Sequence, residues 1–191
     1  MGKAVMLSIR PKWVEKIASG EKTIEVRKTK PKLETPFKCY IYCTLPKYPH
    51  EDFIATDYPM PQFYGGGKVV GEFTCDQIID AWWDYVPDAI TREVTGGNLE
   101  ALDGIGMTDE ELFSYVGDSM RGHCYGWHIS DLLIYDEPRE LTAFRRACKN
   151  SWYCESCAMY WENNGTCGNE SLQIRRPPQS WCYVEAMKDA K

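Results

Sequence analysis

No stretch of this chain stays apolar for anything near the ~18–20 residues that cross a bilayer, and no hydrophobic signal segment follows Met1. Internal repeats and low-complexity tracts are absent as well. Positive charge is in deficit: 22 Lys and Arg stand against 28 Asp and Glu, a net charge of -6. That balance argues against a protein that coats duplex phosphate with its whole surface. Histidine is scarce, with three residues. His50 is directly followed by Glu51, and Cys154 is preceded by Tyr153. The His-x-Glu and Pro-Cys-x-x-Cys pattern of zinc deaminases is therefore missing. These absences leave a soluble, cytoplasmic protein with no membrane partner as the expectation.

What is present indicates a well-packed fold. At 191 residues the chain can bury a substantial core and is read as a single domain, 1–191. Seven Trp and twelve Tyr argue against disorder. Charge is unevenly spread: residues 1–32 hold nine Lys/Arg against Glu15, Glu21 and Glu25, whereas residues 51–118 hold fifteen Asp/Glu against Lys68 and Arg92. Such asymmetry can focus an anionic ligand on one side of a fold, and it can equally reflect two solvated faces.

Local patterns place the elements. Ala4–Ile9 is a strand candidate, and Pro11 suits the first position of a helix, where its missing N–H has no intrahelical partner. Trp13, Val14, Ile17 and Ala18 repeat at helical spacing, and Gly20 is placed to end that helix in a left-handed conformation. A strand follows in which Ile24 and Val26 face a core and Glu25 and Arg27 share the other face. Phe37–Thr44 and Lys68–Ile79 read as further strands. Residues 45–67 form a long excursion. The spacing of Trp82, Val86, Ile90 and Val94 predicts a helix over Asp80–Gly97, broken near Pro87. Thr108-Asp109-Glu110-Glu111 is a capping box opening a helix to about Val116, so residues 80–120 read as an acidic helical insertion. Tyr125–Tyr135 is strand-like and Asp136-Glu137-Pro138 a turn. Leu141–Cys148 reads as a short helix and Ser180–Glu185 as a closing strand. The sum is an α+β chain: a small mixed β-barrel with short flanking helices.

Nine cysteines without a secretion signal point to metal rather than a disulfide framework. Cys148, Cys154, Cys157 and Cys167 fall within twenty residues, in a Cys-rich insert over about 147–172. Two sulfurs of a CxxC on one tight turn can bind a single ion, and four thiolates suit tetrahedral structural Zn, with an iron–sulfur cluster as the alternative. Cys39, Cys43, Cys75, Cys124 and Cys182 read as core residues.

Gly20-Glu21-Lys22-Thr23-Ile24-Glu25-Val26-Arg27 resembles the GxKxxExR motif of ASCH domains (activating signal cointegrator homology), members of the PUA-like superfamily. LSIRPKWVEKIASGEKTIEVRK, KVVGEFTCDQI, YGWHISDLLIYDEP and RPPQSWCYVEA resemble that family's segments in order, in the phage and Gram-positive bacterial type that carries a Cys cluster. The resemblance implies a small β-barrel with a cleft beside the motif that binds RNA, single-stranded nucleic acid or a modified nucleoside. Some similar proteins hydrolyse N4-acetylcytidine with a Lys–Thr–Glu set. The resemblance puts that Lys at Lys22 and that Thr at the position held here by Glu25, with Glu72 as the candidate for the Glu.

If the motif lines a cleft, each residue has a task. Arg27 can present its planar fork to a phosphate or base edge. Glu25 can accept from an exocyclic amine, and Lys22 can act as a base. Trp13 can supply a stacking face or serve as core. Ser8 and Arg10 flank a helix start that favours an anion. Lys22 and Glu25 are the candidate catalytic pair for the enzymatic alternative, an N4-acylcytidine-type amidohydrolase or ribonuclease. A further alternative is a zinc-stabilised adaptor whose insert and acidic middle dock a protein partner. The plain reading of Glu25 and Arg27 is a same-face ion pair on a solvated strand.

Overall fold

The computed structural model describes residues 2–45, 65–85, 94–117, 121–146, 148, 156–164 and 167–187. Its strands are β1 (Lys3–Ile9), β2 (Ile24–Arg27), β3 (Phe37–Cys43), β4 (Val69–Cys75), β5 (Ile78–Tyr85), β6 (Val94–Gly97), β7 (Arg121–His128), β8 (Ser130–Arg139) and β9 (Trp181–Glu185). Helices α1 (Pro11–Ala18), α2 (Asp109–Val116) and α3 (Ala158–Glu162) are short. The strands form two ladders, one ordered β8-β4-β3-β1-β9 and the other β2-β7-β5-β6. β1 and β3 run parallel and the other paired strands antiparallel. The fold is thus mixed and dominated by sheet. Among the described residues the strands make two sheets rather than one closed barrel.

Two short corners carry the chain from sheet to sheet. β4 passes into β5 through Asp76 and Gln77, and β7 into β8 through Ile129. The corners are tied together, because the His128 N–H donates to the Gln77 carbonyl at 3.0 Å and His128 Nδ1 lies 2.6 Å from Asp76. The Lys68–Ile79 and Tyr125–Tyr135 runs, each expected as one strand, are therefore each split between two sheets. β8 also continues to Arg139 through the expected turn at Asp136–Pro138.

The core lies in three layers. Between the sheets, Val5, Leu7, Ile9, Cys39, Ile41, Val70 and Phe73 pack with Val14 and Ile17 of α1 and with Trp127. On the outer face of the larger sheet, Ala4, Met6, Tyr40 and Val69 meet Phe144, Ile174 and Val184. β1 is buried on both faces, which explains its continuous apolar run. Behind the smaller sheet, Ile24, Val26, Ala81 and Trp83 pack on Leu102, Ile105, Leu112 and Phe113.

The helix expected over Asp80–Gly97 is corrected. Asp80–Tyr85 belongs to β5 and Val94–Gly97 to β6, with residues 86–93 outside the described set. Ala81 and Trp83 turn inward while Trp82 is 48% exposed, a period of two that outweighs the four-residue spacing of the larger apolar residues. Among its described residues the acidic insertion is accordingly helical at α2 and at the 3-10 turn Leu99–Leu102. Leu141–Cys148 is no helix either: a 3-10 turn, Leu141–Ala143, is followed by extended bridges at Arg145 and Arg146.

Candidate ligand cleft

β1, α1 and β2 follow one another as the motif's spacing predicts. Pro11 opens α1, Ser19 is its C-cap, and Gly20 turns the chain at φ 79°. That turn delivers Lys22 to the start of β2. Ile24 and Val26 face the core behind the smaller sheet, and Glu25 and Arg27 face the opposite side, as parity requires. This opposite side is not solvated: Lys22 is 2%, Glu25 6% and Arg27 5% exposed. The expectation of a surface ion pair is overturned, because the face packs beneath β1, α1 and Ser180.

The three charges are wired in series. Arg27 Nη2 lies 2.9 Å from Glu25 Oε1, and Lys22 Nζ lies 3.4 Å from Glu25 Oε2. Lys22 also donates to the Ile105 carbonyl at 2.6 Å. Arg27 donates from Nη2 to the Ser8 carbonyl at 2.9 Å, and from Nη1 to the Ser180 carbonyl at 3.1 Å and its hydroxyl at 3.3 Å. The guanidinium fork is thus turned on the protein, and it fastens β2 to β1 and to the start of β9. Ser8 is likewise engaged, donating its hydroxyl to the Pro178 carbonyl at 2.6 Å. Burial pulls the Lys22 ammonium below its ordinary 10.5; Glu25 opposes that shift, and Arg27 and Lys16 add to it. Glu25 lies between two cations, and its pairing with each offsets part of the cost of burying them.

Above the triad lies an open cleft of about 1730 Å³. Ser8, Arg10, Trp13, Lys22, Glu25 and Arg27, the six residues singled out from the sequence, all line it. Trp13 is half-buried, with the ammonium groups of Lys12, Lys22 and Lys16 at 4.7, 5.5 and 5.9 Å from its ring centroid. The wall opposite α1 comes from the acidic middle of the chain. Met107, Glu110, Glu111, Ser114 and Tyr115 line the same cleft, and Lys12 is ion-paired with Glu111. The predicted capping box is present: Glu111 N–H donates to Thr108 Oγ1 at 3.2 Å, and Thr108 N–H to Glu111 Oε2 at 3.0 Å.

The loop that sets this wall was not foreseen. The Gly104 carbonyl accepts from Thr23 N–H at 2.8 Å, and the Gly106 carbonyl accepts from Lys16 Nζ at 2.9 Å. Both glycines have positive φ, 96° and 62°, and a Cβ on Gly106 would come within 3.2 Å of Lys22 Cβ. The GIG pattern just before the capping box was the available signal.

Glu72 stands elsewhere. It accepts from Lys38 at 2.8 Å and from the Tyr135 hydroxyl at 2.5 Å on β4, and it does not line the cleft. His123 and His128 pair with Asp80 and Asp76 at 2.7 and 2.6 Å, also away from it.

The cysteines fall into two environments. Cys39, Cys43, Cys75 and Cys124 are fully buried, as expected, and Cys182 is half-buried against the outer core layer. Cys148, Cys157 and Cys167 are free thiols outside the core, and Cys154 lies outside the described residues. Among the described residues no three His, Cys, Asp or Glu side chains converge as a metal site.

The molecule is therefore a two-sheet α+β protein with a buried Lys–Glu–Arg series flooring an open cleft. Similar solved structures include the ASCH from Zymomonas mobilis, at 14% identity over 95% of this chain and 87% of that one, with a TM-score of 0.46. Two single-residue mutants of the same protein are similar at 15% identity and the same TM-score, covering 95% of this chain and 90% and 88% of theirs. No protein-family model and no curated protein matches the sequence.

Proposed function

We propose that the cleft recognises a nucleobase, in RNA, single-stranded nucleic acid or a modified nucleoside, in the manner the GxKxxExR resemblance to ASCH domains implies. One observation carries this reading: Glu25 is a buried carboxylate whose orientation is fixed by Lys22 and Arg27 at the floor of a cleft flanked by Trp13 and Tyr115. An ionised carboxylate offers about four lone-pair sites, and the two cations leave some of them for a ligand. An exocyclic amine, such as cytosine N4, is the complementary donor. Trp13 or Tyr115 then supplies a stacking face. Arg10 and Lys12 at the rim attract the phosphate.

Calorimetric titration with cytidine, cytidine monophosphate and N4-acetylcytidine tests the proposal. Glu25→Gln removes a charged acceptor, so affinity should fall about tenfold or more. Binding that ignores Glu25→Gln and Lys22→Met would overturn it.

A second reading, amide hydrolysis of an N4-acylated cytidine, is favoured by the Lys22 amine held below its ordinary range. Glu25 occupies the place where that chemistry uses a hydroxyl, so recognition is the preferred role. Release of acetate from N4-acetylcytidine that disappears in Lys22→Met would establish the enzyme instead.

For the Cys-rich insert we propose structural Zn on Cys148, Cys154, Cys157 and Cys167. The CxxC spacing supports this, as does the contrast between free thiols outside the core and the buried core set.

A further inference from the structure

The segment after the motif, Lys28-Thr29-Lys30-Pro31-Lys32, leaves the cleft and crosses the outside of the fold with its three lysines exposed. Two of the lysines face a ring, and the third contacts a tyrosine hydroxyl through its backbone. The Lys28 ammonium lies 5.5 Å from the Tyr115 ring centroid at the cleft wall. Lys30 Nζ lies 4.8 Å from the centroid of Tyr125. The Lys32 backbone N–H donates to the Tyr183 hydroxyl at 2.7 Å. Thr29, itself a cleft residue, accepts from Trp181 Nε1 at 2.9 Å, and Trp181 stacks edge-on with Tyr183 at 5.3 Å. Lysines and aromatics thus follow one another along a segment that starts at the cleft wall and leads away from it.

We infer that this line is an exit track for single-stranded nucleic acid, so that the cleft's ligand is a base within a strand rather than a free nucleoside. The inference rests on the base-recognition reading of the cleft. Phosphates need cations at intervals, and unstacked bases need rings between them. The Lys28–Lys32 segment offers both. It is also among the most basic parts of a chain whose net charge is -6, and it extends the positive charge that Arg10 and Lys12 place at the cleft rim. Among the described residues the ion pair along it is Lys30 with Asp80 at 3.8 Å, which is exposed and open to exchange for a phosphate.

The test measures binding of a fluorescein-labelled single strand of about eight nucleotides, as RNA and as DNA, beside unlabelled cytidine monophosphate. For the native chain the strand should bind at least about tenfold more tightly than the mononucleotide, with a strong salt dependence. In Lys30→Glu/Lys32→Glu the advantage of the strand should vanish, and the salt slope should fall by about 1.4, at about 0.7 per phosphate contact. Mononucleotide affinity should not change. Lys30→Arg/Lys32→Arg should keep strand binding, and the RNA and DNA arms show which backbone is preferred. Strand binding that ignores the charge reversals but is lost in Glu25→Gln overturns the track and leaves the cleft reading standing. A native chain that binds neither strand nor mononucleotide overturns both.

Discussion

Arg27 shows how far a residue's role depends on partners remote in sequence. The motif presents it as a free fork, yet its four Nη hydrogens meet Glu25, the Ser8 carbonyl and Ser180, the last 153 positions away. Parity alone placed Glu25 and Arg27 on one face, so the pairing was legible in the sequence. Their burial was not, because Ser8 and Ser180 are supplied by other strands. Arg27→Ala should destabilise the fold by about 3–5 kcal/mol in urea unfolding, since it leaves Glu25 half-neutralised and takes a charged donor from the Ser8 and Ser180 carbonyls. The core thiols give a second expectation. Burial pushes Cys75 up to about 12 and Cys124 up to about 11, from an ordinary 9.0. Above pH 9 the unfolded chain releases protons that the folded chain retains. The stabilisation is complete below pH 9 and is lost as pH rises toward those values. Urea midpoints should therefore decline over that window, and Cys75→Ala should flatten part of the slope.

Among the elements, those with explicit end signals were the most readable. Pro11 and Gly20 bracket α1, and the Thr108–Glu111 box opens α2, each as its chemistry demands. β5 defeated the same reasoning because Trp82 is an exposed aromatic on a half-buried strand, which blurs the alternation that identifies strands. The sheet corners at Asp76–Gln77 and Ile129 were hidden too, since a chain can change sheets without a Pro or Gly. Thr108→Ala should cost about 1 kcal/mol through the lost cap. Because α2 walls the cleft, the variant should also weaken mononucleotide binding, a coupling that titration beside urea unfolding would detect. Gly122 on β7 has a more severe constraint: an added Cβ would sit 1.8 Å from Trp83 Cε2. Gly122→Ala should lower stability by about 1–3 kcal/mol, as overpacked cores do.

For the whole molecule, the charge asymmetry visible in the sequence has a specific geometry. The basic N-terminal part and the acidic middle face each other across one cleft, through Lys12 of α1 and Glu111 of α2. A ligand bound between them meets cations on one side and carboxylates on the other, which favours a group bearing both a phosphate and an amine. The Cys-rich insert adds an expectation of its own. Elemental analysis should find about one Zn per chain and no visible absorption, and Cys157→Ser should release the metal while the core thiols stay protected from alkylation.

The paired corners have a consequence for how the molecule comes apart. β4–β5 and β7–β8 are continuous strands of chain that cross between the sheets at one place, stitched by His128 and Gln77. Neither sheet can open far without dragging the backbone of the other, so cooperativity is built into the connectivity rather than left to the core. Far-ultraviolet and tryptophan signals should accordingly trace coincident denaturation curves. His128→Pro, which removes the N–H that the Gln77 carbonyl accepts, should lower the midpoint of both signals together without splitting the transition.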